Sequence, residues 1–514
     1  MSGSSWSLLG NSKGDAETLR SDYAAPEPRQ WADRRDDIIN QRATGYGLVH
    51  MPTMQRYLDG LLAQIKKQAG VPDWPGSVHV LASSGLDAYA TAAGNIYISQ
   101  SWLSSAESED EIVALLSHEF GHIYLHYHEL DTALDHSNQV ATWVAMGVGI
   151  ATNAAAVSGW THVDSVTSAY MLGRELAAAA WGRSQESAAD LFGLSISLKR
   201  GYSYGAGYKT MLERLATWEE ENEKQAAVMR EQMRQALKQE AEQGGAAAAE
   251  KAKTSLDAAL SVPVIHLNFA LTSALQLGSD GVSDIWKSTT SKHPETLARL
   301  DRLTAAVDLL PPEEVKEDAT TTPWLKAQGE RRTAQTLKNY QSAIQALQNL
   351  ESPAAMGLAT KAASGPTARH TLPLHALFKA QLARAGSKKG GRASGRVGDV
   401  LQRNMVAEPD RSWFSYAEYA TQLLAQNRKS EAAKVIDMGL SHFGNAPDAW
   451  PQAIGFYGQT RGWSAAKQRA EECKRKFARL AQACSNAAAS PADIAQQQKA
   501  SEEKAAAIVK RLFN

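Results

Sequence analysis

Cysteine is nearly absent from this 514-residue sequence, which holds only Cys473 and Cys484. On one continuous helix the two would share a face but lie about 16 Å apart, too far for a disulfide. The direct reading is two buried thiols, with a bridge open only if the chain turns between them. So few thiols leave the redox compartment undetermined. A surplus of one charge is lacking as well. The formal net charge is −1 with a pI near 6.9, which gives no electrostatic basis for nucleic-acid binding. The first residues, "MSGSSWSLLGNSKGDAE", have no basic n-region and no long apolar core, so as written they are not a secretory signal. They fit the start of a cytoplasmic protein, or of a mature domain whose leader has been removed.

Charge is also missing locally, as at 140–160, "VATWVAMGVGIATNAAAVSGW", which runs 21 positions without a charged residue. By length this segment could span a bilayer. Asn153, the Ser and Thr residues, the many alanines and the missing basic flank argue against insertion. The expectation is an apolar hairpin packed near the functional site, with a membrane span as the alternative.

What the sequence does contain is mostly helical pattern. Residues 1–45 read as a polar, aperiodic N-terminal extension lying over the surface. "MQRYLDGLLAQIKKQAG" then has the spacing of an amphipathic helix closed by Gly70. "SVHVLAS", "DAYATA" and "NIYIS" read as three short strands, with a turn at Ala93-Gly94-Asn95. Ser108-x-x-Glu111 forms a capping box for the next helix, whose apolar positions at 112, 113, 115, 116, 120 and 123 keep helical spacing. The charged, alanine-rich stretch 213–258 reads as an inserted solvated helix or helix pair, broken at Gly244-Gly245. "RAGSKKGGRASGRVG" (384–398) reads as a basic, flexible linker. Beyond it, "AQNRKSEAAKVIDMGL" and "GQTRGWSAAKQRAEEC" align at an offset of about 33 residues, the period of a tetratricopeptide-like helix pair.

Chemistry concentrates in "SEDEIVALLSHEFGHIYLHYHEL" (108–130). His118 and His122 are one helical turn apart, so both imidazoles face one way and can converge on a single ion. Glu119 sits about 100° round the helix, beside the ion rather than on it. From there it can take a proton from a metal-activated water and pass it to a leaving amine. This is the H-E-x-x-H pattern of zinc peptidases, expected by chance only about 0.02 times in such a chain. For a third ligand, His126 lies too far along the same face. His128 has metzincin spacing, but Leu125 stands where that pattern needs a glycine. "GRSQESAADLFGL" offers a better candidate, since Glu186 and Asp190 share a helix face. Glu186 can ligate through oxygen, and Asp190 can accept the outer N–H of a ligating histidine. Two histidines and a glutamate leave an open fourth position, which is a catalytic arrangement.

With H-E-F-G-H followed by E-S-A-A-D at 186–190, the sequence resembles peptidase family forty-eight of the zinc metallopeptidases. That family includes the CAAX prenyl proteases and the β-barrel assembly-enhancing protease. "DAYATAAGNIYIS" is similar to its substrate-pairing edge strand, and "SKHPETLARL" to its H-P-x-x-x-x-R element. The resemblance spans roughly residues 46–305. It implies a mainly α fold: an α+β zincin peptidase domain with a small β-sheet over 46–310, including the 213–258 insertion. A helical connector and linker (311–400), tetratricopeptide-like repeats (401–480) and a helical tail (481–514) would follow.

The resemblance further implies one Zn2+ per chain, held by His118, His122 and Glu186. Glu119 is the expected general base and Asp190 a ligand orienter, while His293 and Arg299 are expected near the scissile carbonyl. Asp87, Ala88, Tyr89, Ala90 and Thr91 would bind an extended peptide. Asp87 departs from the family's usual asparagine. The implied activity is endopeptidase cleavage of misfolded or misassembled envelope proteins in the periplasm, with a protein partner docked on the repeats and no nucleic acid. The alternative is an adaptor whose zinc site stays latent until a partner activates it.

Overall fold

The structure is a computed structural model that describes residues 12–24, 26, 30–126, 183–221, 224, 292–386, 397–406, 408–490 and 492–493. The uncharged run 140–160, His128, most of the 213–258 stretch and most of the basic linker lie outside the described residues. Among those described, no helix is long and apolar enough to cross a membrane.

Helices dominate, with one small sheet. The N-terminal segment is not the aperiodic surface strand of chain expected from its composition, because it holds helices α1 (Ser12–Arg20) and α2 (Arg34–Arg42). Asp33 caps α2, accepting from the Arg35 and Asp36 amides. Neither helix shows a clear apolar period. Each adds only a few apolar residues to a core, Ala16 and Leu19 from α1 and Ile39 from α2, and polar contacts such as the Asp15–Arg302 pair hold them as well.

Helix α3 (Pro52–Gln68) begins with proline in its first turn and ends at Ala69, followed by Gly70 with φ 76°. It buries Met54, Leu58, Leu61, Leu62 and Ile65 along one face. Strands β1 (Val78–Leu81), β2 (Ala88–Ala90) and β3 (Ile96–Ser99) form a sheet of order β1-β3-β2. β1 runs parallel and β2 antiparallel to β3, with Tyr89 opposite Tyr97. The tight β2–β3 connection closes through Gly94 N–H to the Thr91 carbonyl, and Gly94 supplies the left-handed φ of 77° that the turn needs. A bridge from Leu48 to Leu81 covers the outer side of β1. β2 is therefore the edge strand.

Helix α4 (Gln100–Ser105) leads to α5 (Glu109–Leu125), then α6 (Arg183–Lys199) and α7 (Lys292–Val307). The core around them continues through α8 (Thr322–Gly329), α9 (Arg331–Gln348), α10 (Ala355–Ala362) and α11 (Thr371–Gly386), as far as Leu401. A second core, from Met405 to Ala488, lies among α12 (Trp413–Ala425), α13 (Lys429–Phe443), α14 (Ala449–Arg461), α15 (Trp463–Lys476) and α16 (Ala481–Ala487). Here α12 pairs with α13 and α14 with α15, giving two consecutive helical hairpins. Their turns use left-handed residues, Asn427 and Gly462.

The expectation of two separate thiols on one helix is overturned. α15 stops at Lys476, a 3-10 turn at Ala478–Leu480 reverses the chain, and α16 runs back. The Cα atoms of Cys473 and Cys484 come within 6.2 Å and their sulfurs are bonded.

Candidate active site

The site is built where α5 crosses α6. Ser108 caps α5 by accepting from the Glu111 amide at 3.2 Å. The reciprocal half of the box is shifted by one residue, because the Glu111 carboxylate accepts from the Glu107 amide. The acidic first turn, which complements the helix dipole, is tied down on every side. Tyr57 and Tyr202 donate to Glu109, the Ser203 and Thr320 amides donate to Asp110, and Arg214 pairs with Glu111. Every residue from Glu109 to Tyr124 is buried. The helix is thus enclosed on its polar as well as its apolar face, a distinction that periodicity alone does not make.

Two glycines let the helices approach. A Cβ on Gly121 of α5 would lie 3.1 Å from the Ala189 backbone, and one on Gly193 of α6 would lie 2.8 Å from the His118 amide nitrogen. The Gly193 position faces the hydroxyl of Tyr208, carried beneath the crossing by a π-helical turn at Gly205–Lys209.

At this crossing three side chains converge. His118 Nε2 lies 3.3 Å from His122 Nε2 and 3.4 Å from Glu186 Oε2, and His122 Nε2 lies 3.3 Å from Glu186 Oε1. Donors bound tetrahedrally at about 2.0–2.1 Å would be separated by about 3.3–3.4 Å, so the two nitrogens have that spacing and each lies at a similar distance from one of the two Glu186 oxygens. Among the described residues they form the group of histidine and acidic side chains able to hold a metal. α5 ends at Leu125, and His126 follows as its cap residue, outside this group.

Asp190, one turn beyond Glu186, lies 2.9 Å from His118 Nδ1, and this contact turns Nε2 toward the other donors. Arg299, expected near the scissile carbonyl, is engaged with the acids of α6. Its guanidinium donates twice to Asp190, at 2.7 Å each, and reaches Glu186 at 3.0 Å. The sequence pointed to Arg299 through the H-P-x-x-x-x-R resemblance, but nothing in it named the acids as partners. His293 lies in the first turn of α7, with its side chain outside the described residues.

The electrostatics follow from this buried cluster. Burial would raise the carboxyls of Glu186 and Asp190, but the Arg299 charge and the His118 contact outweigh it. Glu186 is held well below the ordinary range and Asp190 at about 2. Burial opposes charging of His118, yet the contacts with Asp190 and Glu186 lift it to about 10. Burial lowers His122, against the pull of Glu186. Glu119 is pushed up to about 7, chiefly by burial, with the charges of His118 and Arg299 opposing and that of Glu186 adding. A carboxyl poised near neutral pH suits a group that must both take and return a proton.

The edge hairpin packs against α5. Asp87 and Thr91 make ladder bonds to β3, through Ser99 N–H to Asp87 O and Thr91 N–H to Asn95 O. Antiparallel alternation therefore turns the N–H and C=O groups of Ala88 and Ala90 to the outer edge. The Asp87 carboxylate is held inside its own turn by the Ser83 hydroxyl. The Tyr89 hydroxyl donates to Gln41 and the Thr91 hydroxyl to Asp37, so these side chains are anchored to α2. Asp37 also accepts from Asn95 and Tyr97. No sequence signal linked α2 to the hairpin, since the partners lie about fifty residues apart.

A buried helix bearing H-E-x-x-H, met by a glutamate from a second helix beside a three-stranded sheet, defines a mainly α zincin-type metallopeptidase domain. Residues 52–307, about half of the chain, match the family model described as Peptidase family M48. The match supports placing this segment in peptidase family M48, whose members are zinc metallopeptidases. No curated protein matches the chain.

Proposed function

We propose that this protein is a zinc-dependent endopeptidase acting on extended segments of misfolded or misassembled cell-envelope proteins. The observation that carries the reading is the convergence of the His118, His122 and Glu186 donor atoms at 3.3–3.4 Å, with Glu119 beside them. One zinc per chain would be held there, supplying Lewis acidity and making water acidic near neutral pH.

The chain's own residues do the rest. An unfolded segment pairs with the outward N–H and C=O groups of Ala88 and Ala90, adding a strand to β2. This lays the scissile bond across the α5 surface. Glu119 takes the proton of the attacking water and delivers it to the departing amine. Asp190 fixes the His118 ring, while Arg299 keeps Asp190 and Glu186 ionised. The two C-terminal hairpins, with the repeat seen in the sequence, serve as a tetratricopeptide-like module that docks a protein partner. A periplasmic or envelope-associated setting is supported by the Cys473–Cys484 bond, because such cross-links persist in oxidising compartments.

The test is cleavage of an unfolded, casein-like substrate by the wild type and by Glu119→Gln, with zinc measured in both. Equal zinc, with cleavage reduced by about 10²–10⁴ in the variant, is expected for loss of a general base. A zinc-loaded wild type that cleaves nothing would favour the latent, partner-activated adaptor. Undiminished cleavage by Glu119→Gln would remove Glu119 from the mechanism.

A further inference from the structure

Helix α2 lies between two parts of the molecule that otherwise belong to separate cores. One face serves the edge hairpin. Asp37 accepts from Thr91 at 3.0 Å, from Asn95 at 2.7 Å and from Tyr97 at 2.7 Å, while Gln41, one turn on, accepts from Tyr89 at 2.6 Å. Just before the helix, the Ala32 amide donates to the Ala92 carbonyl, and from its first turn Arg34 donates to Ser77. A second face meets the C-terminal helices. Ile39 and Ala43 pack into the second core. Asn40 donates to the Asp448 carboxylate at 3.1 Å and accepts from its amide at 3.1 Å, and Thr44 adds a bond at 3.0 Å. Asp448 stands at the N-cap of α14 but makes no side-chain cap bond to that helix. Its carboxylate accepts from the α2 end of the chain instead.

We propose that α2 is a coupling element, with Asp37 and Gln41 as positioning residues for the substrate-binding edge strand and Asn40 and Thr44 as its grip on the C-terminal helical array. The substrate role rests on the peptidase reading above; the mechanical link does not. β2 is three residues long and paired on one side, too short to be rigid by itself. Four side chains of the hairpin depend on two residues of one helical turn. A shift of the array that moves α14 must move α2 with it or break the Asp448 bonds, and either event reaches Tyr89 and Thr91 directly. Docking on the array would thereby tune the affinity of the edge strand for peptide without touching the metal ligands.

The experiment uses full-length protein carrying Asp448→Ala, with Asp448→Asn as the conservative variant that can still accept both bonds. Hydrogen exchange is followed in residues 88–99 and 445–452, and KM and kcat are measured on an extended fluorogenic peptide. The proposal expects exchange in the hairpin to rise about tenfold in Asp448→Ala and KM to rise about five- to tenfold, a typical coupling size. Zinc content and kcat should hold, and Asp448→Asn should restore both readouts. Unchanged hairpin exchange in Asp448→Ala would overturn the proposal, whether or not exchange rises at 445–452. If the wild type proves to have no peptidase activity, the exchange measurement still decides the coupling by itself. Thr44→Val, which removes one hydroxyl from the same contact, gives the same test should Asp448→Ala fail to fold.

Discussion

Replacing Asp190 with asparagine changes the site by one charge while keeping the shape of the side chain. Asp190 is 1% exposed and holds two N–H groups of Arg299 at 2.7 Å and His118 Nδ1 at 2.9 Å. In the wild type the cluster of Glu186, Asp190 and Arg299 carries one net negative charge. In Asp190→Asn it carries none, so the Arg299 cation faces a bound metal with half its former compensation. The amide also orients the His118 ring less firmly than a carboxylate. Both effects act against zinc. Loss of an outer-shell partner of this kind lowers metal affinity by about 10- to 100-fold, equivalent to roughly 1.4–2.7 kcal/mol. The assay is competition for zinc against a chromophoric chelator at fixed pH. Asp15→Asn is the matched control, because Asp15 makes a similar bidentate pair with Arg302 on the same helix, away from the ligands. The control should leave zinc affinity within about twofold of wild type while losing some stability. Wild-type zinc affinity in Asp190→Asn, or an equal loss in both variants, would refute the reasoning.

Gly193→Ala places a methyl against the Tyr208 hydroxyl and within 2.8 Å of the α5 backbone. The helices must part, and a destabilisation of about 1–3 kcal/mol or more in urea unfolding is expected together with weaker zinc binding. Cys473 and Cys484 are separated by eleven residues, and closing a loop of that size corresponds to about 3 kcal/mol of chain entropy. The double serine variant should therefore unfold at lower urea in its C-terminal helices and bind zinc unchanged. Asp410, beside the junction of the two cores, is raised to about 6 chiefly by burial. Its folded value exceeds the ordinary 3.8, so the folded state binds more protons between those values and stability falls as pH rises through that window. Asp410→Asn should consequently raise the melting temperature near pH 7.5 and have little effect near pH 4, measured by scanning calorimetry.

Much of the site was legible because its chemistry constrains spacing. His118, Glu119 and His122 declare themselves within five residues, and Glu186 with Asp190 within another five. The edge hairpin was readable from strand alternation around "DAYATAAGNIYIS" and a glycine at the turn. Other features carried no local signal. "RRDDIINQR" has no apolar stripe, and α2 exists because Asp33 caps it and its polar side chains find partners in two other elements. Arg299 could have paired with any acid on any face, and only the packing of α7 against α6 selects Asp190 and Glu186. The reversal between Cys473 and Cys484 contains neither glycine nor proline, so a continuous helix was the natural reading. Burial on both faces of α5 was equally hidden, since its polar residues look solvent-directed until their partners from residues 57, 202, 203, 214 and 320 are in place.

The most direct test of the central claim is zinc K-edge absorption on the full chain, beside Glu186→Ala. The account predicts a bound zinc with two imidazole nitrogens and a carboxylate oxygen at about 2.0–2.2 Å, and loss of the oxygen scatterer with much weaker binding in the variant. Zinc that keeps the same coordination and affinity after Glu186→Ala would contradict it.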